Sequence, residues 1–273
     1  MGIIKVDQNR CIKDKICSDV CPKNIIEIDD NGYPFIQESN QFECINCGHC
    51  ASICPTAALM LHEIKPDTCL DIPENWKISS ELIETFMKSR RSVRAYKGRS
   101  IEKEKLEKLI DIARYAPSGL NLQPVKWKIL NDREKLQQIV NLSIDWMKYV
   151  IREEFPWAEA LAMHKHVDEY EQGKDPILKG APAIIIAYGD KKESSLEKSS
   201  TIALSYLELA AYSFNLGTCW GGYFEAILKF CKPVRDIIGL TRKDQCTGVL
   251  MIGYPKYKYK KIPLRKPADI TWL

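Results

Sequence analysis

The chain has 273 residues, of which 45% are apolar and 28% charged, with a formal charge of +4. That profile belongs to a globular protein of one large domain or two, and excludes a collagen, a coiled coil or a disordered tail. The charge is uneven: residues 1–60 hold five Lys/Arg against eight Asp/Glu, and the remainder holds 35 against 28.

Compartment and partners follow from the same facts. The basic surplus carries no nucleic-acid-binding motif, and the acidic section is the one rich in cysteine, so no nucleic-acid partner is expected. The longest apolar stretch, around Ala183–Tyr188, is too short to span a bilayer, and MGIIKVDQNR lacks the apolar core of a signal peptide. Eleven cysteines in a chain with neither feature point to a reducing cytoplasm rather than a disulfide framework.

The first predicted elements flank a repeat. Cys11, Asp14, Cys17 and Cys21 lie 33 residues before Cys44, Cys47, Cys50 and Cys54, and Pro22 and Pro55 repeat with them. The second copy reads C-x2-C-x2-C-x3-C-P, and the first has Asp14 at its second position. Three thiolates from one tight loop can cap three irons of a cubane, while the fourth iron needs a ligand from elsewhere. Structural zinc favours paired C-x2-C knuckles over a repeated run of this kind. IIKV before Cys11 and YPFI at Tyr33–Ile36 read as short strands, and CASICP as the start of a helical turn.

Residues 1–62 resemble the bacterial two-cluster ferredoxin fold. The fourth cysteine of each run crosses to the other cluster in such proteins. The resemblance implies one cluster on Cys11 and Cys17 closed by Cys54, with Asp14 facing the remaining iron. The other would use Cys44, Cys47 and Cys50, closed by Cys21. Asp14 either ligates that iron, giving a second 4Fe-4S cluster, or leaves the position open, giving a 3Fe-4S cluster. A carboxylate is a harder ligand than a thiolate and holds such an iron less tightly.

Residues 63–79 contain Pro66 and Pro73, show no regular period and read as a linker. From Ser80, Leu82, Ile83, Phe86 and Met87 recur at helical spacing, and Leu106, Leu109, Ile110 and Ala113 give a second amphipathic helix ending near Pro117. VKWKIL (Val125–Leu130) alternates like a half-buried strand. AIIIAY (Ala183–Tyr188) reads as a buried strand, Ala203–Phe214 as a helix rich in small residues, and TGVLMIGY (Thr247–Tyr254) as another strand. Helices and strands interleaved in this way indicate an α+β or α/β core for residues 80–273.

Four segments in this part stand out: RRSVR (Arg90–Arg94), PSGLNLQP (Pro117–Pro124), GTCWGG (Gly217–Gly222, read as a glycine-bearing loop), and the basic pair Arg265–Lys266. In this order they resemble the nitroreductase family of flavoproteins, specifically the subgroup with an N-terminal ferredoxin domain. The resemblance implies an α+β fold that binds flavin mononucleotide (FMN). Arg90, Arg91, Ser92 and Arg94 would hold the phosphate and ring edge, since arginine forks suit a dianion. Pro117, Ser118 and Asn121 would contact flavin from the polar turn, partly in a partner subunit. Cys219, Trp220, Gly221 and Gly222 would lie beside the redox-active ring, and Arg265 with Lys266 would complete the phosphate site. Gly221 stands where better-known members often carry an acidic residue.

The resemblance also implies a homodimer, for which the small-residue helix offers a face that equally suits a core. No side-chain acid or base is expected to be indispensable, because the cofactors carry the redox chemistry. Two functions fit these expectations. One is a reductase that takes electrons from an external low-potential donor protein through the clusters and reduces a small organic acceptor, such as a nitroaromatic or quinone. The other is an electron-transfer adaptor in which FMN joins one- and two-electron partners.

Overall fold

The computed structural model describes residues 2–62 and 64–273; Glu63, the first residue of the expected linker, and Met1 lie outside the described residues. The chain forms two compact units, Met1–Ile78 with Leu120–Leu122, and Ser79–Gly119 with Gln123–Leu273.

The first unit is built on the 33-residue repeat. It contains β1 (Ile4–Val6), α1 (Ile16–Asp19), β2 (Glu27–Ile28), β3 (Pro34–Phe35), α2 (His49–Ser52) and β4 (Leu59–Leu61). β1 pairs antiparallel with β4, and β2 with β3. The repeat is written in the backbone as well as the sequence. Lys13 and Asn46, Lys15 and Gly48, and Asn24 and Ala57 are each 33 residues apart, and all six have positive φ. Side-chain-bearing residues adopt that region rarely, so its recurrence marks two copies of one tight loop. Ile25, Ile26, Ile36, Ala51, Leu59 and Leu61 close a small core in which Cys17 and Cys50 are also buried.

The second unit holds α3 (Ser80–Ser89), α4 (Lys103–Ala113), β5 (Lys126–Leu130), α5 (Arg133–Arg152), α6 (Trp157–Ala160), α7 (Met163–Glu171), β6 (Ala183–Asp190), α8 (Leu196–Ser213), β7 (Gly217–Trp220), α9 (Gly222–Phe230), α10 (Lys232–Ile238) and β8 (Asp244–Gly253). Its four strands form one antiparallel sheet in the order β5-β6-β8-β7. β6 is central, and Ala183–Ala187 are at most 1% exposed. Alternate strand residues face opposite sides. Ile184 and Ile186 therefore join a core with α5 and α9, while Ala183, Ile185 and Ala187 join one with α4 and α8. The result is a sheet covered on both faces by helices, an α+β layer structure.

One expectation changes here. GTCWGG is not a loop: Gly217–Trp220 is the edge strand β7, and Gly222 begins α9. Four residues are too few to show an alternation by which a strand is read. Of the small residues of α8, Ala203 and Ala211 face the protein's own core at 4% and 0% exposure, while Ala210 is partly buried. No described helix is long and apolar enough to cross a membrane.

Ile185 sits at 0% exposure in the middle of the central strand. Ile185→Ala is expected to destabilise the second unit by about 2–5 kcal/mol, measured by urea unfolding followed by far-UV circular dichroism. A loss below about 1 kcal/mol would contradict this packing.

Candidate cluster and flavin sites

The cysteines of the first unit separate into two sets. Cys11, Asp14, Cys17 and Cys54 line one small cavity. Cys21, Cys44, Cys47 and Cys50 line another. The fourth cysteine of each run has thus crossed to the other run's cavity, as the ferredoxin resemblance implies. Asp14 stands where an eighth cysteine would; its Oδ1 accepts from the Ile16 N–H at 3.3 Å.

The donor chemistry fits a cationic cluster. Burial pushes the Cys50 thiol up to about 11, with Cys47, Cys44 and Cys21 adding to the rise against a lowering backbone hydrogen bond from Ala51. Burial likewise raises Cys17, helped by Asp14, Cys54 and Cys11. Cys54 runs the other way: burial raises it, but hydrogen bonds led by the Ala58 N–H, at 3.2 Å, bring it below the usual thiol range. Thiols crowded in this way ionise together only around bound metal, which deprotonates a coordinating thiol. Among the described residues no three Cys, His, Asp or Glu side chains converge closely enough for a single ion. Each set lines a small cavity, which suits an iron–sulfur cubane.

In the second unit, two of the segments singled out in the sequence meet. α3 ends at Ser89, and the chain that follows runs beside β7, with the Val93 N–H donating to the Thr218 carbonyl at 2.8 Å. It continues along the segment after β8, through Lys97 N–H to the Tyr254 carbonyl and Lys256 N–H to the Ala95 carbonyl, at 2.8 and 2.9 Å. The Tyr96 hydroxyl donates back to the Val93 carbonyl at 2.6 Å.

These strands wall a cavity of about 560 Å³. Arg90, Arg91, Lys97, Lys256 and Lys258 line it, with Ser89, Thr218, Glu208 and the rings of Tyr212, Tyr254, Tyr257 and Tyr259. The volume lies in the range of small-molecule and cofactor sites. Arg91 is held by Nη1, which donates to the Lys88 and Arg90 carbonyls at 2.7 and 2.6 Å. Its Nη2 is buried with no hydrogen-bond partner among the described residues. Buried donors are rarely left unpaired, and a cavity lined by arginine, lysine and tyrosine fits a phosphate-bearing aromatic ligand.

The remaining expected residues fall as follows. Ser92 is half-buried, and exposed Arg94 donates from Nη1 to the Ser92 carbonyl at 3.4 Å. Cys219 is 3% exposed. Burial raises its thiol, against the lowering effects of Arg94 and a Ser92 hydrogen bond, so both segments converge on it. Trp220 is partly exposed, and the Gly221 N–H donates to the Val249 carbonyl at 2.8 Å. Gly222 has open space where a Cβ would stand. Pro117 is exposed, and the Ser118 hydroxyl accepts from the Gln123 N–H at 3.0 Å. Asn121 belongs to the first unit, where its Nδ2 donates to the Ile45 and Asn46 carbonyls at 3.3 and 2.9 Å. Arg265 and Lys266 are exposed beyond β8 and do not line the cavity.

The sequence reading missed Glu208. It lies on α8 and contacts both Arg90 and β7. Its signal was present: Leu204, Glu208 and Ala211 share one face of the helix, so a carboxylate interrupts an apolar stripe.

Gly217 is what allows the two segments to approach. A Cβ there would stand 2.7 Å from Val93 Cβ and 3.0 Å from Pro255 Cγ. Val93 is β-branched and buried, so it has little room to give. Gly217→Ala is expected to cost about 1–3 kcal/mol of stability by overpacking, read as a lower thermal unfolding midpoint. An unchanged midpoint would count against the close approach.

Comparisons with known proteins agree with this geometry. Residues 87–254 match the nitroreductase family, and residues 3–55 match the 4Fe-4S dicluster domain. An Archaeoglobus fulgidus protein provisionally named NADH dehydrogenase/NAD(P)H nitroreductase is 26% identical over 173 residues, 62% of this chain and 82% of its own. An uncharacterised ferredoxin of Methanocaldococcus jannaschii is 40% identical over 65 residues, 23% of this chain and 82% of its own. A nitroreductase structure with bound FMN from Bacteroides fragilis shares the fold at a TM-score of 0.55 and 21% identity, covering 71% of this chain and 100% of that one. With more than half of its length matched, the chain belongs to the nitroreductase family and carries a dicluster iron–sulfur domain ahead of it.

Proposed function

We propose that the protein is an FMN-dependent reductase that accepts electrons singly at two iron–sulfur clusters and delivers them in pairs to a small organic acceptor, a nitroaromatic or a quinone. The observation that carries this reading is the pairing, in one chain, of two crossed cysteine sets with a basic, tyrosine-lined cavity that Arg90 and Arg91 border. Arg90 and Arg91 would hold the flavin phosphate as guanidinium donors. Backbone at Gly222, free of any obstructing side chain, and the partly exposed Trp220 would flank the ring. Bound FMN supplies the chemistry of joining one-electron to two-electron transfer. The chain contributes position and charge. The names of the Archaeoglobus relative and of the Bacteroides structure support nitro compounds as acceptors. An external low-potential protein is the proposed donor.

The partner subunit would be a second copy of this chain. Leu264, Ile270 and Trp272 are 99%, 64% and 90% exposed in the segment after β8, and Leu82 of α3 is 64% exposed. Exposed apolar side chains of this size on two segments favour a protein contact. Sedimentation should give a dimer, and removal of residues 257–273 should shift it towards monomer. A wild-type chain that sediments as a monomer at micromolar concentration would sink the dimer.

Cofactor analysis of anoxically purified protein tests the main reading. About eight irons and one FMN per chain are expected if Asp14 completes its cluster, and about seven if that cubane loses its fourth iron. Asp14→Cys should give about eight irons in either case. Protein reduced in the absence of oxygen should be reoxidised by nitroaromatics or quinones faster than in buffer alone. Absence of flavin, or reoxidation no faster than in buffer, would overturn the reductase.

A further inference from the structure

Glu208 is the only buried charged residue among the described residues, at 8% exposure. It occupies the core-facing stripe of α8, one turn after Leu204 and one before Ala211, both 0% exposed. A charge at that depth is costly unless it is paired and hydrogen-bonded. Three donors meet it. Its Oε1 accepts from Arg90 Nη1 at 3.0 Å and from the Thr218 hydroxyl at 3.1 Å, and its Oε2 accepts from Trp220 Nε1 at 3.4 Å.

The donors come from two separate segments. Arg90 belongs to the segment that would hold the flavin phosphate, and Trp220 to the one that would flank the ring. Among the described residues, only Nη1 of Arg90 is engaged. The other guanidinium N–H groups, four of five, stay available to a ligand in the cavity that Arg90 lines. A leucine at this position, like Leu204 and Leu207, would fill the core as well and would orient nothing.

We propose that Glu208 is a positioning residue of the flavin site, holding Arg90 in place for the phosphate and tying β7 to the same anchor through Thr218 and Trp220. The proposal rests on the FMN reading. It extends that reading from the groups that would touch the flavin to the carboxylate that sets them. A fixed guanidinium loses less freedom on binding than a free one, so its loss should appear in affinity.

The test uses the full-length, cluster-loaded chain, with its flavin removed and FMN titrated back by fluorescence quenching. Glu208→Gln keeps the shape and removes the charge. It is expected to weaken FMN binding about tenfold or more, the scale of a hydrogen bond to a charged group. In an Arg90→Met background the same substitution should change FMN affinity by less than about threefold, because its effect travels through Arg90. The thermal midpoint of the flavin-free protein is measured alongside.

A lower midpoint with unchanged FMN affinity would make Glu208 merely structural and overturn the proposal. Equal losses of affinity with and without Arg90 would overturn it too. A wild-type chain that takes up no FMN would sink the flavin reading and this proposal together, whereas a flavin-binding wild type with an indifferent variant sinks this proposal alone. If Glu208→Gln gives no folded protein, Glu208→Asp retains the charge, draws it back by one methylene, and carries the same comparison with the same outcomes.

Discussion

Five consecutive residues of β6, Ala183–Ala187, have at most 1% of their surface exposed, and that requires apolar cover on both faces of the sheet. α4 and α8 supply it on one side, and α5 and α9 on the other. The site geometry follows from that requirement. Because α8 must lie against the sheet, Glu208, on its buried face, is carried into the core. Once there, the carboxylate can persist only with donors around it. The donors are Arg90, arriving from the end of α3, and Thr218 and Trp220 on β7, whose alternate residues face α8. Cys219, one residue out of phase, falls in the opposite core with Phe224 and Met251.

The first unit obeys a different constraint. Its core is small, and its segments are short strands and four-residue helices. Units of that size are usually stabilised by disulfides or metal. Here the candidates for that support are the two thiolate sets. The left-handed residues repeated at 33-residue spacing bend each loop so that its cysteines face inward. Metal binding and folding are then one process, since the sites do not exist in the unfolded chain.

What could be read from the sequence depended on how local its cause was. The cysteine repeat was fully legible, because loop ligation leaves a fixed spacing; the crossing to opposite cavities was implied by the ferredoxin resemblance. AIIIAY was legible as a buried strand because a central strand needs a continuous apolar run. β7 was not, since GTCW pairs through its backbone with β8 and is flanked by glycines that serve close approach rather than turning. The partners of Glu208 were equally hidden, lying 118 residues away at Arg90 as well as 10 and 12 residues on at Thr218 and Trp220. The meeting of RRSVR with GTCW was implied by family resemblance; nothing in either segment alone specifies it. Arg265 and Lys266 show the limit in the other direction, for a basic pair in an exposed irregular segment carries no local information about what it reaches.

The two thiolate sets also differ in how firmly each can close. Around Cys50 every donor is sulfur, the thiol is raised to about 11 by burial, and its neighbours raise it further. Ionising those thiols costs free energy, which bound metal has to offset. Around Cys17 one corner is the exposed carboxylate of Asp14, already solvated and already accepting a backbone hydrogen bond. A hard, hydrated oxygen gains less from iron than a buried thiol does. The asymmetry thus arises from burial as much as from ligand type. A cluster that Asp14 completed would hold its iron less firmly there, at an exposed position.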